Sequence, residues 1–210
     1  MNNWGTGLLN GIPRPSSFHA CAAVSTLGEM LAIGFDLPKD TFTTMLKDGP
    51  HLLAPTASDL DKYGKVGTVL AGFHYDLNFI TIHGKSRYPG LHIWSSEGEK
   101  LAAKIPNGCL LIQAGKQMEW LTGGHVKAGY HEVVVTEGTL LAAERQREKG
   151  RPNWRISSTL FSHVASDVML APIPGRFASI PGAKEMYPAM LTGSHVEQEL
   201  KEIQLFMKEQ

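Results

Sequence analysis

The chain has 210 residues, with twenty basic residues against twenty acidic ones and a sequence pI near 7. That length suits one domain with a real hydrophobic core, and the balanced charge supplies no field that would gather nucleic acid or an anionic membrane. No apolar stretch approaches the roughly 20 residues of a membrane span, and Met1–Pro15 lacks a charged-then-apolar leader pattern, so a cytoplasmic protein handling small molecules is expected.

Residues 1–15 carry Gly5, Gly7, Gly11, Pro13 and Pro15, which favour turns over regular structure. From Ser17 to about Phe35 the apolar positions Cys21, Val24, Leu27 and Leu31 recur at helical spacing, and Pro38–Leu46 reads as a second, shorter helix. After Gly49-Pro50 the texture changes to short β-branched and aromatic runs closed by glycine, proline or charged pairs. These runs are Leu52–Leu53, Gly67–Asp76, Phe79–His83, Gly90–Trp94, Lys100–Lys104, Cys109–Ala114, His131–Thr136 and Arg155–Phe161. Many short strands with tight turns predict an antiparallel sandwich or barrel, not a βαβ sheet. The charged stretch Glu144–Arg151, within an insertion over 139–153, reads as a solvated excursion between two strands. Val196–Lys208 alternates apolar and charged residues as an amphipathic helix does. Three segments are therefore expected: a helical lead-in over 1–50, a β core over 51–175, and a C-terminal segment with a helix over 176–210. Both cysteines, Cys21 in the first helix and Cys109 in a strand, are expected as reduced core residues.

Nine histidines are many for this length, and neutral imidazole is the commonest metal ligand. His74-Tyr75-Asp76 places an imidazole and a carboxylate two apart, on one face if the segment is extended. A third ligand must come from elsewhere, and His131 opens the apolar run Val133–Val135. Two histidines and one carboxylate bind iron(II) facially and leave the opposite positions open. The competing reading of His131 is a satisfied core histidine. Arg155-Ile156-Ser157 is a second i, i+2 pair, suited to gripping a carboxylate through a guanidinium fork and a neighbouring hydroxyl, with a surface pair as the alternative.

Taken in order, these residues resemble the isopenicillin N synthase-like branch of the iron(II)/2-oxoglutarate dioxygenases, over roughly residues 52–195. His74-Tyr75-Asp76-Leu77-Asn78-Phe79-Ile80-Thr81-Ile82 is similar to the family's "His-Thr-Asp-x-x-x-Leu-Thr-Leu", and Gly90-Leu91-His92-Ile93 to its "Gly-Leu-Gln-Val". Gly129-Tyr130-His131-Glu132-Val133 resembles the segment ending in "His-Arg-Val", and Arg155-Ile156-Ser157 with Leu160-Phe161 resembles "Arg-x-Ser-x-x-Phe-Phe". The resemblance implies a mainly β double-stranded β-helix, or jelly roll, with flanking N-terminal and C-terminal helices. It implies Fe(2+) held by His74, Asp76 and His131, and 2-oxoglutarate held at its far carboxylate by Arg155 and Ser157. The reaction implied is oxidation of a small organic substrate by dioxygen, through hydroxylation, desaturation or ring closure, with release of succinate and carbon dioxide. Departures stand beside these matches. Gln113-Ala114-Gly115-Lys116 replaces the family's "Asn-x-Gly-Asp", and the family's long N-terminal region is expected to be missing. His125 is expected as an exposed turn residue and not a ligand. Three other readings stay open: an iron oxidase that draws electrons from its substrate, an inactive jelly-roll binding module, and a zinc hydrolase using the same three ligands.

Overall fold

The structure, a computed structural model, describes the backbone of residues 17–208. Among them, strands β1 (Leu52–Asp59), β3 (Ile80–His83), β6 (Leu111–Ala114) and β8 (Trp154–Ser162) form one antiparallel sheet in the order β1-β8-β3-β6. Strands β2 (Val69–His74), β4 (Leu91–Trp94), β5 (Lys100–Ala102) and β7 (His131–Val134) form the second, in the order β2-β7-β4-β5. A short antiparallel pair, β9 (Met169–Leu170) with β10 (Met190–Leu191), stands apart from both. Consecutive strands mostly fall in opposite sheets, which makes the fold a double-stranded β-helix with helices at its flanks. No helix among the described residues is long and apolar enough to cross a membrane.

The alternation of β8 shows how the fold makes an inside. Arg155, Ser157, Thr159 and Phe161 line a cavity between the sheets, while Ile156 and Ser158 are exposed and Leu160 is buried in the core on the other side. On β3 the same period sets buried Thr81 against Ile80 and Ile82, which join that core. Helices α1 (Ser17–Gly34) and α2 (Thr41–Leu46) close over this outer face, bringing Val24, Phe42 and Leu46 against Phe79 and Val164. The rings of Phe42 and Phe79 lie 5.1 Å apart. Each such ring contributes about 1.5–3 kcal/mol on burial, so these two helices pack into the core.

Several elements differ from expectation for identifiable reasons. Strand β1 runs eight residues instead of two, through Pro55, which an edge strand tolerates because its missing N–H has no ladder partner to lose. The charged insertion begins as helix α5 (Glu137–Arg147), started by a capping box in which Thr136 and Thr139 each satisfy the other's backbone N–H. Its Ala142 and Ala143 pack with Leu60, Tyr88 and Val135, while the Glu144–Arg151 stretch is largely exposed as expected. Cys109 is exposed, in the turn before β6, so its expected place in the core is corrected; a turn with Gly108 at φ 78° precedes the strand and pushes its start back to Leu111. The side chain of Cys21 and the turn-rich residues 1–15 lie outside what is described. The expected C-terminal helix is present as α7 (Thr192–Lys208), starting four residues earlier than its apolar pattern. Three short helices have no predicted counterpart: α3 (Leu60–Tyr63), α4 (Lys116–Leu121) and α6 (Ala183–Met186).

Candidate metal centre

Strand β2 ends on His74 and β7 begins on His131, and the antiparallel register sets these two residues directly opposite one another. Their ring centroids are 4.2 Å apart. Asp76 lies two residues beyond the strand end, not on the strand as its i, i+2 spacing from His74 suggests. It reaches the same point because its loop is tied down. The first N–H groups of α4 have no partners within their own helix, and they donate outward to this loop: Gly115 N–H to Phe79 O at 3.0 Å, Lys116 N–H to Asp76 O at 2.8 Å and Gln117 N–H to Asn78 O at 3.1 Å. Gly115 is required for that approach, because a Cβ there would sit 2.0 Å from Asn78 O.

One ligand atom from each of His74, Asp76 and His131 lies within 4.8 Å of the others. His74 Nε2 is 3.6 Å from Asp76 Oδ1, and His131 Nε2 is 3.9 Å from Oδ2. These separations are too long for hydrogen bonds and leave room for an ion. Each imidazole is oriented from behind. His74 Nδ1 lies 2.6 Å from Gly72 O and His131 Nδ1 lies 3.3 Å from Gly129 O. A carbonyl only accepts, so the proton sits on Nδ1 in both rings and each Nε2 turns a lone pair toward the shared space. Burial holds His131 below the ordinary imidazole pKa against the pull of Asp76, which keeps it neutral as a ligand must be. Asp76 is oriented too: fully buried Thr81 donates its hydroxyl to Oδ2 at 2.6 Å, leaving Oδ1 free of hydrogen bonds among the described residues. His74 is the open side of the cluster, with 45% of its side chain exposed.

The cluster sits in the wall of a cavity of about 500 Å³ that also contains Arg155, Ser157 and His83. Arg155 is buried and donates from Nη1 to Ser157 Oγ at 2.8 Å. Its Nε has no partner, and among the described residues no carboxylate pairs with it. Burial alone pulls this guanidinium below its usual pKa, which is the signature of a cation short of its anion. The donor set fits iron(II), and the Arg155–Ser157 pair fits one carboxylate of a dicarboxylic acid. All five residues singled out in the sequence therefore line one cavity.

Two further residues escape a reading of the sequence. Thr81 and His83 share one face of β3, so the i, i+2 spacing on a predicted strand carried the signal that both point inward. The His83 ring lies 5.6 Å from that of His131, and burial, then His131 itself, lowers its pKa. His125 is exposed against Phe35 and Phe177 and takes no part in the cluster.

The sequence profile of the 2OG-Fe(II) oxygenase superfamily matches residues 51–164. Among solved structures, a Caulobacter crescentus protein assigned to the 2OG-Fe(II) oxygenase family superposes with a TM-score of 0.73 at 26% identity, covering 88% of this chain and 56% of that one. A full-length Neurospora crassa protein in complex with alpha-KG gives 0.72 at 19% identity, covering 96% and 63%. The rice dioxygenase for auxin oxidation gives 0.66 at 14%, covering 88% and 56%. This chain thus spans less than two thirds of the length of each. Comparison with curated proteins found no match. With the profile matched over more than half its length, the chain belongs to the 2OG-Fe(II) oxygenase superfamily.

Proposed function

We propose that this chain is an iron(II)- and 2-oxoglutarate-dependent dioxygenase that oxidises a small organic substrate. His74, Asp76 and His131 hold the metal, and Arg155 with Ser157 hold the far carboxylate of 2-oxoglutarate. One juxtaposition carries the reading: a two-histidine, one-carboxylate cluster shares a 500 Å³ cavity with a buried arginine that has no acidic partner among the described residues. Bound iron supplies the site for dioxygen and for oxidative decarboxylation of the 2-oxo acid. The residues do the rest. The Nδ1–H groups of both histidines, donated to Gly72 and Gly129, fix which nitrogen faces the metal. Thr81 fixes the rotamer of Asp76, and the Arg155 fork orients the co-substrate. Ala54, Ala71, Leu91, Val133 and Phe161 make the wall apolar, which restricts water around the reacting centre. Hydrolysis at zinc, held by the same three ligands, has no evident use for the arginine anchor. The catalytic unit on this reading is the 51–175 core, working in the cytoplasm.

The test is turnover. Supplied with iron(II), dioxygen and 2-oxoglutarate, the chain should release succinate, and His131→Ala should not. Oxygen consumption without succinate would favour an iron oxidase that uses Arg155 to grip its substrate instead. Absence of both in the wild type would overturn the reading.

A further inference from the structure

Glu119, on α4, is a buried carboxylate outside the cavity, and both of its oxygens are occupied. Oε2 accepts the Ala128 N–H at 2.9 Å, while Oε1 accepts the Tyr187 hydroxyl at 2.8 Å and Lys116 Nζ at 3.1 Å. Lys127 Nζ lies 3.6 Å from the same Oε1. Buried charges persist only when compensated in this way. Burial works against the charge, yet the Ala128 N–H, Tyr187 and Lys116 hold this carboxyl below its usual range.

What the carboxylate holds lies directly behind a ligand. Ala128 precedes Gly129, whose carbonyl faces His131 Nδ1 at 3.3 Å and whose own N–H donates to Ala114 O at 2.9 Å. The lead-in to His131 therefore hangs from two atoms of the corner between β6 and α4, Ala114 O and Glu119 Oε2. The same corner donates the N–H groups of Gly115, Lys116 and Gln117 to the loop of Asp76. Two ligands from different parts of the chain thus take their positions from one short segment. Lys116 joins its halves, pairing with Glu119 while its Nζ lies 5.2 Å from the ring of Tyr75, the residue between His74 and Asp76. Gly124, at φ 79°, makes room for the clamp from the C-terminal side: a Cβ there would sit 2.7 Å from the Tyr187 hydroxyl.

We infer that Glu119 is a positioning residue for the metal centre, its carboxylate fixing Ala128 and Gly129 and, through the Gly129 carbonyl, the imidazole of His131. The inference rests on the reading above, in which His131 is a ligand. A ligating imidazole depends on the acceptor behind its other N–H for tautomer and orientation. At 3.3 Å that bond has little slack before it is lost. The corresponding acceptor of His74, Gly72 O at 2.6 Å, belongs to β2 and not to this corner, so loss of Glu119 should act on one histidine and spare the other.

The experiment is proton NMR of the full chain loaded with cobalt(II), a paramagnetic ion that accepts the same donor set, beside chelator competition for iron(II). Cobalt moves the Nδ1–H signals of both ligating histidines far from the ordinary range, and buried His131 gives the one that exchanges more slowly with water. Glu119→Met keeps the length of the side chain and removes both acceptors. It should shift or broaden the His131 signal, leave that of His74 in place, and weaken iron binding about tenfold. Glu119→Gln retains an oxygen for the Ala128 N–H, so it should move the same signal by less and weaken binding by less; it decides the question if the Met variant does not fold. Thr136→Ala, destabilised outside this corner, should leave both signals and the affinity unchanged, which separates positioning from a general loss of stability. A His131 signal unmoved in the Glu119 variants, or an equal loss of affinity in Thr136→Ala and Glu119→Met, would overturn the inference. Wild-type protein that takes up neither metal would overturn the assignment of the ligands, and the inference with it, so the two failures are distinguishable.

Discussion

Arg155 concentrates the tension between stability and function in one side chain. A buried guanidinium without a counter-charge costs free energy until an anion arrives, and replacing such a group by an apolar residue of similar length is often stabilising. Arg155→Met should therefore raise the thermal midpoint of the ligand-free protein while abolishing 2-oxoglutarate binding, both readable by thermal shift with and without the acid. A lowered midpoint would mean that the cation is already compensated. Thr81 acts one step further out. Thr81→Val keeps the shape and removes the hydroxyl that orients Asp76, and losses of such supporting bonds weaken metal affinity roughly 10–100-fold. Competition with a chelator measures this, and an unchanged affinity would make the bond incidental. His125→Ala, on an exposed turn, should leave iron binding as it is.

At the scale of elements, the loop of Asp76 and the start of α4 form a unit, and α5 packs its Ala142 and Ala143 against Leu60, Tyr88 and Val135. Gly115→Ala forces a Cβ onto the Asn78 carbonyl, so it should both destabilise the fold and displace Asp76. A variant that loses iron affinity more steeply than it loses thermal stability is the expected outcome. Thr136→Ala removes the capping box of α5 and should cost about 1 kcal/mol in denaturant unfolding, with little effect at the metal. These elements also show what the sequence could and could not say. His131, Arg155 and Ser157 were legible as candidates from strand period and apolar context, but a core histidine and a surface pair competed with them, and only the resemblance in residue order assigned their roles. Asp76 was legible as a residue but not as geometry, since its placement depends on hydrogen bonds from α4, remote in sequence. Helix α5 was obscured by the charges of its second half, although Thr136-x-x-Thr139 is a readable start. Pro55 concealed the length of β1, because only sheet order reveals that β1 is an edge.

For the molecule as a whole, buried histidines make stability respond to acid. His163 and His195 are held to about 4, in both cases by burial first, helped by His51 for the former and Lys116 for the latter. The contact of His195 Nε2 with Glu199 Oε1 at 3.6 Å is accordingly not an ion pair near neutrality, the more so as burial raises the Glu199 carboxyl. Between the unfolded value near 6.5 and the folded value of about 4, the unfolded chain binds protons that the folded chain does not. Stability should thus be flat above about pH 6.5 and fall steadily from there toward about pH 4. His195→Gln should flatten part of that slope in thermal melts, and an unchanged slope would remove His195 from the explanation. The chain is at once an antiparallel barrel closed by its own helices and a pocket whose charges call for ligands. Equilibrium dialysis of iron(II) under anaerobic conditions, with and without 2-oxoglutarate, addresses that pocket most directly. One iron per chain should bind, more tightly when 2-oxoglutarate is present, with the enhancement lost in Arg155→Met and all binding lost in Asp76→Ala. Iron binding that ignores 2-oxoglutarate, or that survives the loss of Asp76, would contradict the assignment.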